Sequence, residues 1–355
     1  MTKAIKTVLK TFGVLIAAVL IFAAVLVGWL SVTEYRPESV ENLEISNTAK
    51  EKPALGESIT LLTYNIGFAG LSEETDFFMD GGKNVINGDE AMVLKNLEGI
   101  MGEIETAKPD ILLIQEIDED SKRTFGINQV DIISEKFGGE SAVAYNYVCG
   151  YVPYPIPTLG KMKSGIMTVF AFETEKAERI SLPCPFSWPV SAANLKRCLL
   201  VSYHDIENSD KQLVVVNLHL EAYDSGEGKI AQTKMLWELL ENEYAKGNYV
   251  IAGGDFNQTF PGALERYPMK NPEYWAPGVL EESVLPEGWS YVYDDSNPTC
   301  RLLNEPYNPE SEATQYYIID GFIISPNVEL VEVKTLSTEF KYSDHCPVLM
   351  EIILK

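Results

Sequence analysis

Histidine is scarce: His204, His219 and His345 are the only three in 355 residues. A metal centre built from several imidazoles has too few ligands here. Any metal is expected on oxygen donors, which suits Mg²⁺, Mn²⁺ or Ca²⁺. Cysteine is nearly as sparse. Cys149, Cys184, Cys198, Cys300 and Cys346 form no C-x-x-C pair, which argues against a zinc knuckle or a thioredoxin-type site. Their odd count fits buried thiols, with room for one disulfide. Positive charge is also short. Lys plus Arg total 28 against 52 Asp plus Glu, a net charge of −24. Such a surface does not hold DNA or RNA by neutralising phosphates. A bound cation can supply that charge locally, so a nuclease is not excluded. No internal repeat or low-complexity tract occurs. Apolar residues make up 46% of the chain, enough for a sizeable core and too many for a disordered chain.

One stretch has no charge at all. Phe12–Val32 matches the roughly 20 residues of helix that a bilayer core needs. Lys3, Lys6 and Lys10 precede it, and Glu34, Glu38, Glu41 and Glu44 follow. The positive-inside rule then puts the N-terminus in the cytoplasm and everything after Val32 outside the cell membrane. Residues 1–32 therefore read as a cytoplasmic N-terminus with a transmembrane anchor, 33–57 as a polar linker, and 58–355 as one catalytic domain. The rival is a cleaved signal peptide. Its apolar region is typically shorter, about 7–15 residues, and ends at a small-x-small site that is not evident here, so the uncleaved anchor is favoured. A buried core helix fits poorly, because the run has no polar face. Without the three lysines of the first 30 residues, 25 bases face 52 acids. That balance of −27 repels anionic lipid.

The remainder alternates short apolar runs with turn clusters, as mixed α/β structure does. Strands are expected at Ile59–Tyr64, Ile111–Gln115, Ala142–Val148, Gly165–Phe172, Lys176–Ile180, Arg197–Ile206 and Gln212–Leu218. Further strands are expected at Tyr249–Gly253, Tyr316–Ile324, Val328–Leu336 and Pro347–Leu354. Helices are expected at Asp89–Ala107, Gln129–Phe137 and Lys229–Tyr244; the first carries Met92, Leu97, Ile100 and Ile104 at helical spacing. Thr259–Trp289 reads as irregular. With the loop Leu71–Gly88 it is expected to wall a pocket.

Several apolar strands end in a polar group that a core does not need: Asn65, Glu116, His219, Asp255 with Asn257, and Asp320. A late loop adds Ser343-Asp344-His345. One such ending is an ordinary turn residue, but six together point to a shared pocket. Asn217 and His219, two apart on a strand, share a face. Asp255 and Asn257 do so if the chain stays extended. Glu116, Asp255, Asp320 and Asp344 crowded together repel one another unless a proton or a hard divalent cation intervenes.

The segments TYNIG, IQE, KSG, NLH, GDFN, ID and SDH occur in that order. Together they resemble the endonuclease/exonuclease/phosphatase superfamily, over about Ile59–Leu354. That superfamily includes pancreatic deoxyribonuclease, apurinic endonucleases, bacterial sphingomyelinases and inositol polyphosphate 5-phosphatases. The resemblance implies an α/β fold: a four-layer sandwich of two mixed β-sheets flanked by helices, here preceded by one transmembrane helix, with the site at one end. It implies metal binding by Glu116, with Asn65 beside it as a metal or phosphate ligand and Asp344 in the terminal Asp-His pair. Mg²⁺ is the expected ion, with Mn²⁺ or Ca²⁺ as alternatives. His219 corresponds to the Asn-x-His histidine of the deoxyribonuclease and sphingomyelinase branches. Asp255 and Asn257 correspond to the pair that handles the nucleophile and the transition-state oxygens. Asp320 corresponds to the aspartate that orients His345.

Elementary chemistry gives compatible roles. His345, neutral near pH 7, accepts a proton from water; Asp255 is the alternative base. Asp320 holds the imidazole ring. His219 and Asn257 donate to phosphoryl oxygens. Asn217, Ser164 and Arg301 are the candidates for substrate contact. For Ser164 a plain strand start serves as well, and for Arg301 a structural ion pair is favoured over a phosphate. Arg197 reads as a structural or pocket-wall residue, His204 as a strand residue without a catalytic part, and Lys161 and Lys163 as solvated charges. After Asn65 comes Ile66-Gly67, not the second acid or amide of some nuclease branches. The apurinic tyrosine is missing, and no basic stripe accompanies the motifs.

The expected protein is thus a membrane-anchored, outward-facing, divalent-metal-dependent phosphoesterase. A lipid head group or small-molecule phosphodiester is favoured as substrate, with no dedicated nucleic-acid surface. An exported nuclease and a non-catalytic binding module are the alternatives.

Overall fold

The computed structural model describes residues 2–355. In chain order its main elements begin with α1 (Lys3–Val32), β1 (Val40–Asn42), β2 (Ser58–Asn65), α2 (Glu90–Ala107), β3 (Ile111–Asp118) and α3 (Gln129–Phe137). Then come β4 (Glu140–Val152), β5 (Gly160–Phe170), β6 (Lys176–Ser181), β7 (Cys198–Asp205), β8 (Gln212–His219) and α4 (Glu227–Ala245). The chain finishes with β9 (Tyr249–Asp255), β10 (Ser290–Val292), β11 (Asp320–Ile324), β12 (Val328–Thr335) and β13 (Val348–Leu354).

One sheet has the order β12-β13-β2-β3-β5-β4, and the other β1-β6-β7-β8-β9-β11-β10. Each is antiparallel except for one central parallel pair, β2 with β3 and β8 with β9. A parallel pair needs a crossover, and α2 and α4 supply the two. The sheets stack through Leu61, Leu113, Ile166, Leu200, Ile251 and Phe322. On one outer face Val93, Leu97, Ile100 and Ile104 of α2 pack on Leu62, Leu112 and Ile114. On the other, Leu236, Trp237 and Leu240 of α4 pack on Val214, Val216 and Val250. The result is the expected four-layer sandwich. Strands apolar on both faces, such as Leu213–Leu218, are what two buried faces require.

Local chemistry sets the boundaries. The Asp89 carboxylate accepts from the Met92 amide at 3.0 Å and caps α2. Lys108 then turns left-handed ahead of Pro109 and ends the helix. The expected strand Tyr316–Ile324 is two pieces. Tyr316–Tyr317 pairs with Cys300–Arg301, and only Asp320–Ile324 joins the large sheet. The break lies where the Thr299 hydroxyl accepts from both the Ile319 and the Asp320 amides, at 3.0 and 3.1 Å. The polar stretch 33–57 is laid along the domain: β1 pairs with β6, and Ser46 and Glu51 bridge to Ser141 and Phe172. All five cysteines are free thiols, four buried and Cys184 exposed, so no disulfide forms.

The helix α1 is long and apolar enough to cross a membrane. Most of it stands clear of the domain, but Leu30, with Leu26, packs on Cys149, Val152, Met162 and Ala192.

His204 has the structural part expected of it. It is fully buried beside the Phe170 ring, with Nδ1 3.1 Å from the Glu173 carbonyl and Nε2 3.0 Å from the Ser202 hydroxyl. Burial pushes its pKa down to about 4. Above about pH 6.5 the ring is neutral folded or unfolded. As pH falls from there toward 4, the unfolded chain takes the proton first and stability drops, by about 1.4 kcal/mol per unit. His204→Gln should lose less stability than the parent between pH 7 and pH 4.5, by roughly 2–3 kcal/mol. Urea unfolding at the two pH values measures it, and equal losses would clear His204 as the titrating group.

Candidate active site

The two central parallel pairs and β11 bring their polar ends to one rim. Asn65 stands opposite Gln115, His219 opposite Asp255, and Asp255 opposite Asp320. Two distortions aim the side chains. The β3–β5 register shifts between Ile114 and Ile117, and within that bulge Glu116 has φ +55°. A non-glycine residue there stores about 1–3 kcal/mol of strain, and the bulge turns the carboxylate out of the ladder. At Gly254 an added Cβ would lie 2.0 Å from the Leu218 carbonyl oxygen. The GGD sequence thus lets β8 and β9 approach closely, which aligns His219 with Asp255. Gly67, φ +49°, is equally specific, since a Cβ there would meet Asp344 Oδ1 at 2.7 Å. Its amide donates to Asn65 Oδ1 at 3.0 Å. The departure from the nuclease-like motif after Asn65 therefore makes room for Asp344.

Asp255 is the hub of the cluster. Its Oδ2 accepts from Asn65 Nδ2 at 3.0 Å and lies 3.4 Å from His219 Nε2 and 3.9 Å from His345 Nε2. His219 Nε2 is also 3.9 Å from Glu116 Oε1. His345 is held on its other side, with Nδ1 2.8 Å from Asp320 Oδ2. The late loop is fixed by Ser343 Oγ, which donates to the Asn65 carbonyl at 2.8 Å and accepts from the His345 amide at 3.2 Å. Asn257 folds back rather than continuing the strand. At φ +49° its amide donates to Asp255 Oδ1 at 2.8 Å, and Nδ2 donates to the Leu220 carbonyl at 2.9 Å. Asparagine tolerates that conformation.

Burial, and then Asp320, push the Asp255 carboxyl up to about 7. Burial, with Glu116 alongside, does the same to Asp344. His219 is held well below the ordinary histidine value by burial and by Arg197. Burial also opposes an imidazolium at His345, but the surrounding acids, Asp320 foremost, hold it well above the ordinary value. The expectation of a neutral His345 thus meets a cluster of acids that holds the proton on its ring. A divalent cation among the same carboxylates competes with that proton. The donor set fits a hard cation: Glu116 and Asp344 offer carboxylate oxygens, and Oδ1 of the buried Asp320 has no partner, while Asn65 turns its amide nitrogen toward Glu116 and Asp255.

The three candidates for substrate contact have structural partners. Asn217, fully buried, donates to the Ile114 and Met167 carbonyls at 3.2 and 2.9 Å and to Thr168 Oγ1, and accepts from Gln115 Nε2. It shares a face with His219 but pins the two sheets together beneath the site, with no hydrogen left to donate. Ser164 donates to the Ile117 carbonyl at 3.1 Å and accepts from Arg123 at 3.3 Å. Arg301 forms no ion pair. Its guanidinium donates to the carbonyls of Ser72, Thr75 and Glu305 and staples two loops.

Two other arginines face the cavity. Arg123 grips Asp118 through two 3.0 Å bonds and lies 3.6 Å over the Phe68 ring. Asp118, two residues beyond Glu116, was a signal in the sequence. Arg197 is buried with Nε and Nη1 unpartnered, 3.7 Å from Glu221 Oε2. No local pattern announces that pairing, because it depends on the approach of distant loops. The loop 71–88 contributes Phe77, Phe78 and Asp80, and the region 259–289 contributes Trp275. Asp80 takes the Tyr223 hydroxyl at 2.7 Å. Lys161 and Lys163 pair with Asp120 and Glu119 away from the site.

Solved structures share the fold. The fold is shared with an endonuclease/exonuclease/phosphatase from Beutenbergia cavernae, at TM-score 0.56 and 15% identity over 84% of this chain and 72% of that one. The catalytic domain of human nocturnin, with a bound sulfate, aligns at TM-score 0.52 and 15% identity over 88% and 97%. TDP2 from Caenorhabditis elegans aligns at 0.51 and 16% over 84% and 75%. No curated protein matches the sequence. Residues 62–345 match the model of the endonuclease/exonuclease/phosphatase family. Most of the length is thereby covered, and the chain belongs to that family.

Proposed function

We propose that this chain is a divalent-metal-dependent phosphodiester hydrolase. Its organisation would be a membrane anchor at 1–32, a connecting segment at 33–57 and the catalytic domain at 58–355, outside the cytoplasm. One observation carries the reading: the Asp320–His345 pair faces Asp255, whose carboxylate also meets His219 and Asn65, with Glu116 beside His219 and Asp344 beside His345.

Glu116 and Asp344 would hold the cation, with Asn65 orienting Glu116 through its amide nitrogen, Mg²⁺ being the common choice in this family. When bound it supplies charge neutralisation at the phosphoryl and leaving oxygens. The residues of the chain do the rest. Asp320 fixes the His345 ring, so that Nε2 faces the pocket and takes the proton of the attacking water. Asp255, adjacent to both imidazoles, is the alternative acceptor. His219 and the remaining Asn257 N–H donate to the phosphoryl oxygens. The Arg197 guanidinium, whose Nη1 has no hydrogen-bond partner, suits the same oxygens. Lipid head groups and small phosphodiesters rank above nucleic acid, because the chain carries −24 and has no basic stripe.

Bis(p-nitrophenyl) phosphate hydrolysis tests this. Activity should vanish on chelation and return with Mg²⁺. No hydrolysis with Mg²⁺, Mn²⁺ or Ca²⁺ would indicate a binding module, and far faster plasmid digestion would indicate a nuclease.

A further inference from the structure

The cavity that holds Glu116, His219, Asp255 and His345 has a volume of ≈ 610 Å³ and extends to Leu26, Val27 and Leu30 of α1. Much of its lining is apolar, Phe78, Tyr154, Leu159 and Val190 included. The membrane-type helix is thus part of the wall of the site.

Helix geometry sets the depth. Lys10 bounds the apolar stretch on the N-terminal side. From Thr11 to Val25, before the first contact with the domain, the helix rises only about 22 Å. A bilayer core needs about 30 Å. Reaching it takes the helix to about Leu30, into the part that packs on the domain. The domain edge around Leu26 and Leu30 therefore meets the hydrocarbon of the outer leaflet.

That edge is built for it. Two loops flank the end of α1, residues 151–160 and 182–195. Neither carries a charged residue, in a chain where 23% are charged. Their tips expose Ile156 (91%), Tyr154 (71%), Trp188 (64%) and Val190 (57%). Trp188 Nε1 donates to Ser31 Oγ at 2.8 Å, tying one loop to the helix. An exposed apolar patch continuous with a membrane helix is a membrane contact.

We propose that the substrate is a phospholipid drawn from the outer leaflet of the same membrane. Its acyl chains stay along α1 and the loop tips, and its head-group phosphate enters the cavity. The proposal rests on the hydrolase reading and on α1 as a membrane span. The acidity of the domain favours a zwitterionic head group over an anionic one. Water adds across one P–O ester bond: its hydroxyl goes to phosphorus, and its proton to the alcohol released.

The test uses the full chain in nanodiscs of phosphatidylcholine and phosphatidylethanolamine with Mg²⁺. The variant Ile156→Asp alters one exposed tip that does not line the cavity. It should cut lipid hydrolysis about tenfold and leave bis(p-nitrophenyl) phosphate hydrolysis unchanged. Separately, Ile156→Cys in a Cys184→Ser background, labelled with nitrobenzoxadiazole, should be quenched by brominated acyl chains and shielded from iodide. Lipid hydrolysis that is undetectable or indifferent to that tip, with the nitrophenyl ester still cleaved, overturns the proposal and spares the hydrolase reading. So does a probe open to iodide and blind to brominated lipid. Failure to cleave either substrate overturns both.

Discussion

His345→Ala should lower the rate by about 10²–10⁴-fold, the usual cost of losing a positioned proton-transfer group, whatever the leaving group. The ring is held by Asp320 at 2.8 Å, and its free nitrogen faces Asp255. It is assigned to the attacking water, which every substrate requires. His219 stands on the other side of Asp255, at 3.4 Å, and 3.9 Å from Glu116. Its assigned role is to stabilise charge or to protonate the leaving oxygen, which a good leaving group needs less. His219→Ala should therefore recover part of its loss on a nitrophenyl ester, while His345→Ala should not. Rates of both variants on an alkyl and a nitrophenyl phosphodiester, with circular dichroism to check folding, decide it. Rescue of His345→Ala alone would reverse the two assignments.

Glu116→Gln keeps the size and polarity of the side chain but removes a negative ligand. Even a residue that only orients a metal ligand costs about 10–100-fold in affinity when lost. The Mg²⁺ concentration for half-maximal activity should rise by at least that factor. The thermal midpoint without metal should hold steady or rise, because removing the Glu116 charge relieves its repulsion with Asp344. Titration of Mg²⁺ against rate, with a melting curve in chelator, measures both. An unchanged midpoint with full activity would remove Glu116 from the metal centre.

The large sheets were readable because their central strands are buried on both faces, and a run such as Leu213–Leu218 has few other uses. The strand-end residues were readable as a group for the same reason, since a polar side chain closing an apolar run needs a purpose. What escaped reading depends on distant partners. The edge strand Val40–Asn42 is polar and short, and only its pairing with β6 defines it. The break before Asp320 is made by the hydroxyl of Thr299, twenty residues upstream. Asn217, Ser164 and Arg301 were picked for their chemistry, yet the carbonyls they serve lie on other strands and loops. Arg197 meets Glu221 only after folding, and its unpartnered nitrogens are invisible before then.

The pairing of β1 with β6 also bears on where the folding unit begins. An uncapped outer strand offers free amides and carbonyls to any passing chain. In this protein Val40–Asn42 covers that row on β6, and Glu34 reaches Lys196 at 2.9 Å from still further upstream. A protease that trimmed the chain back to Ser58 would strip off this cover and leave a sticky flank. The smallest fragment that keeps β6 covered therefore starts ahead of Val40, not at the first strand of the catalytic sheets.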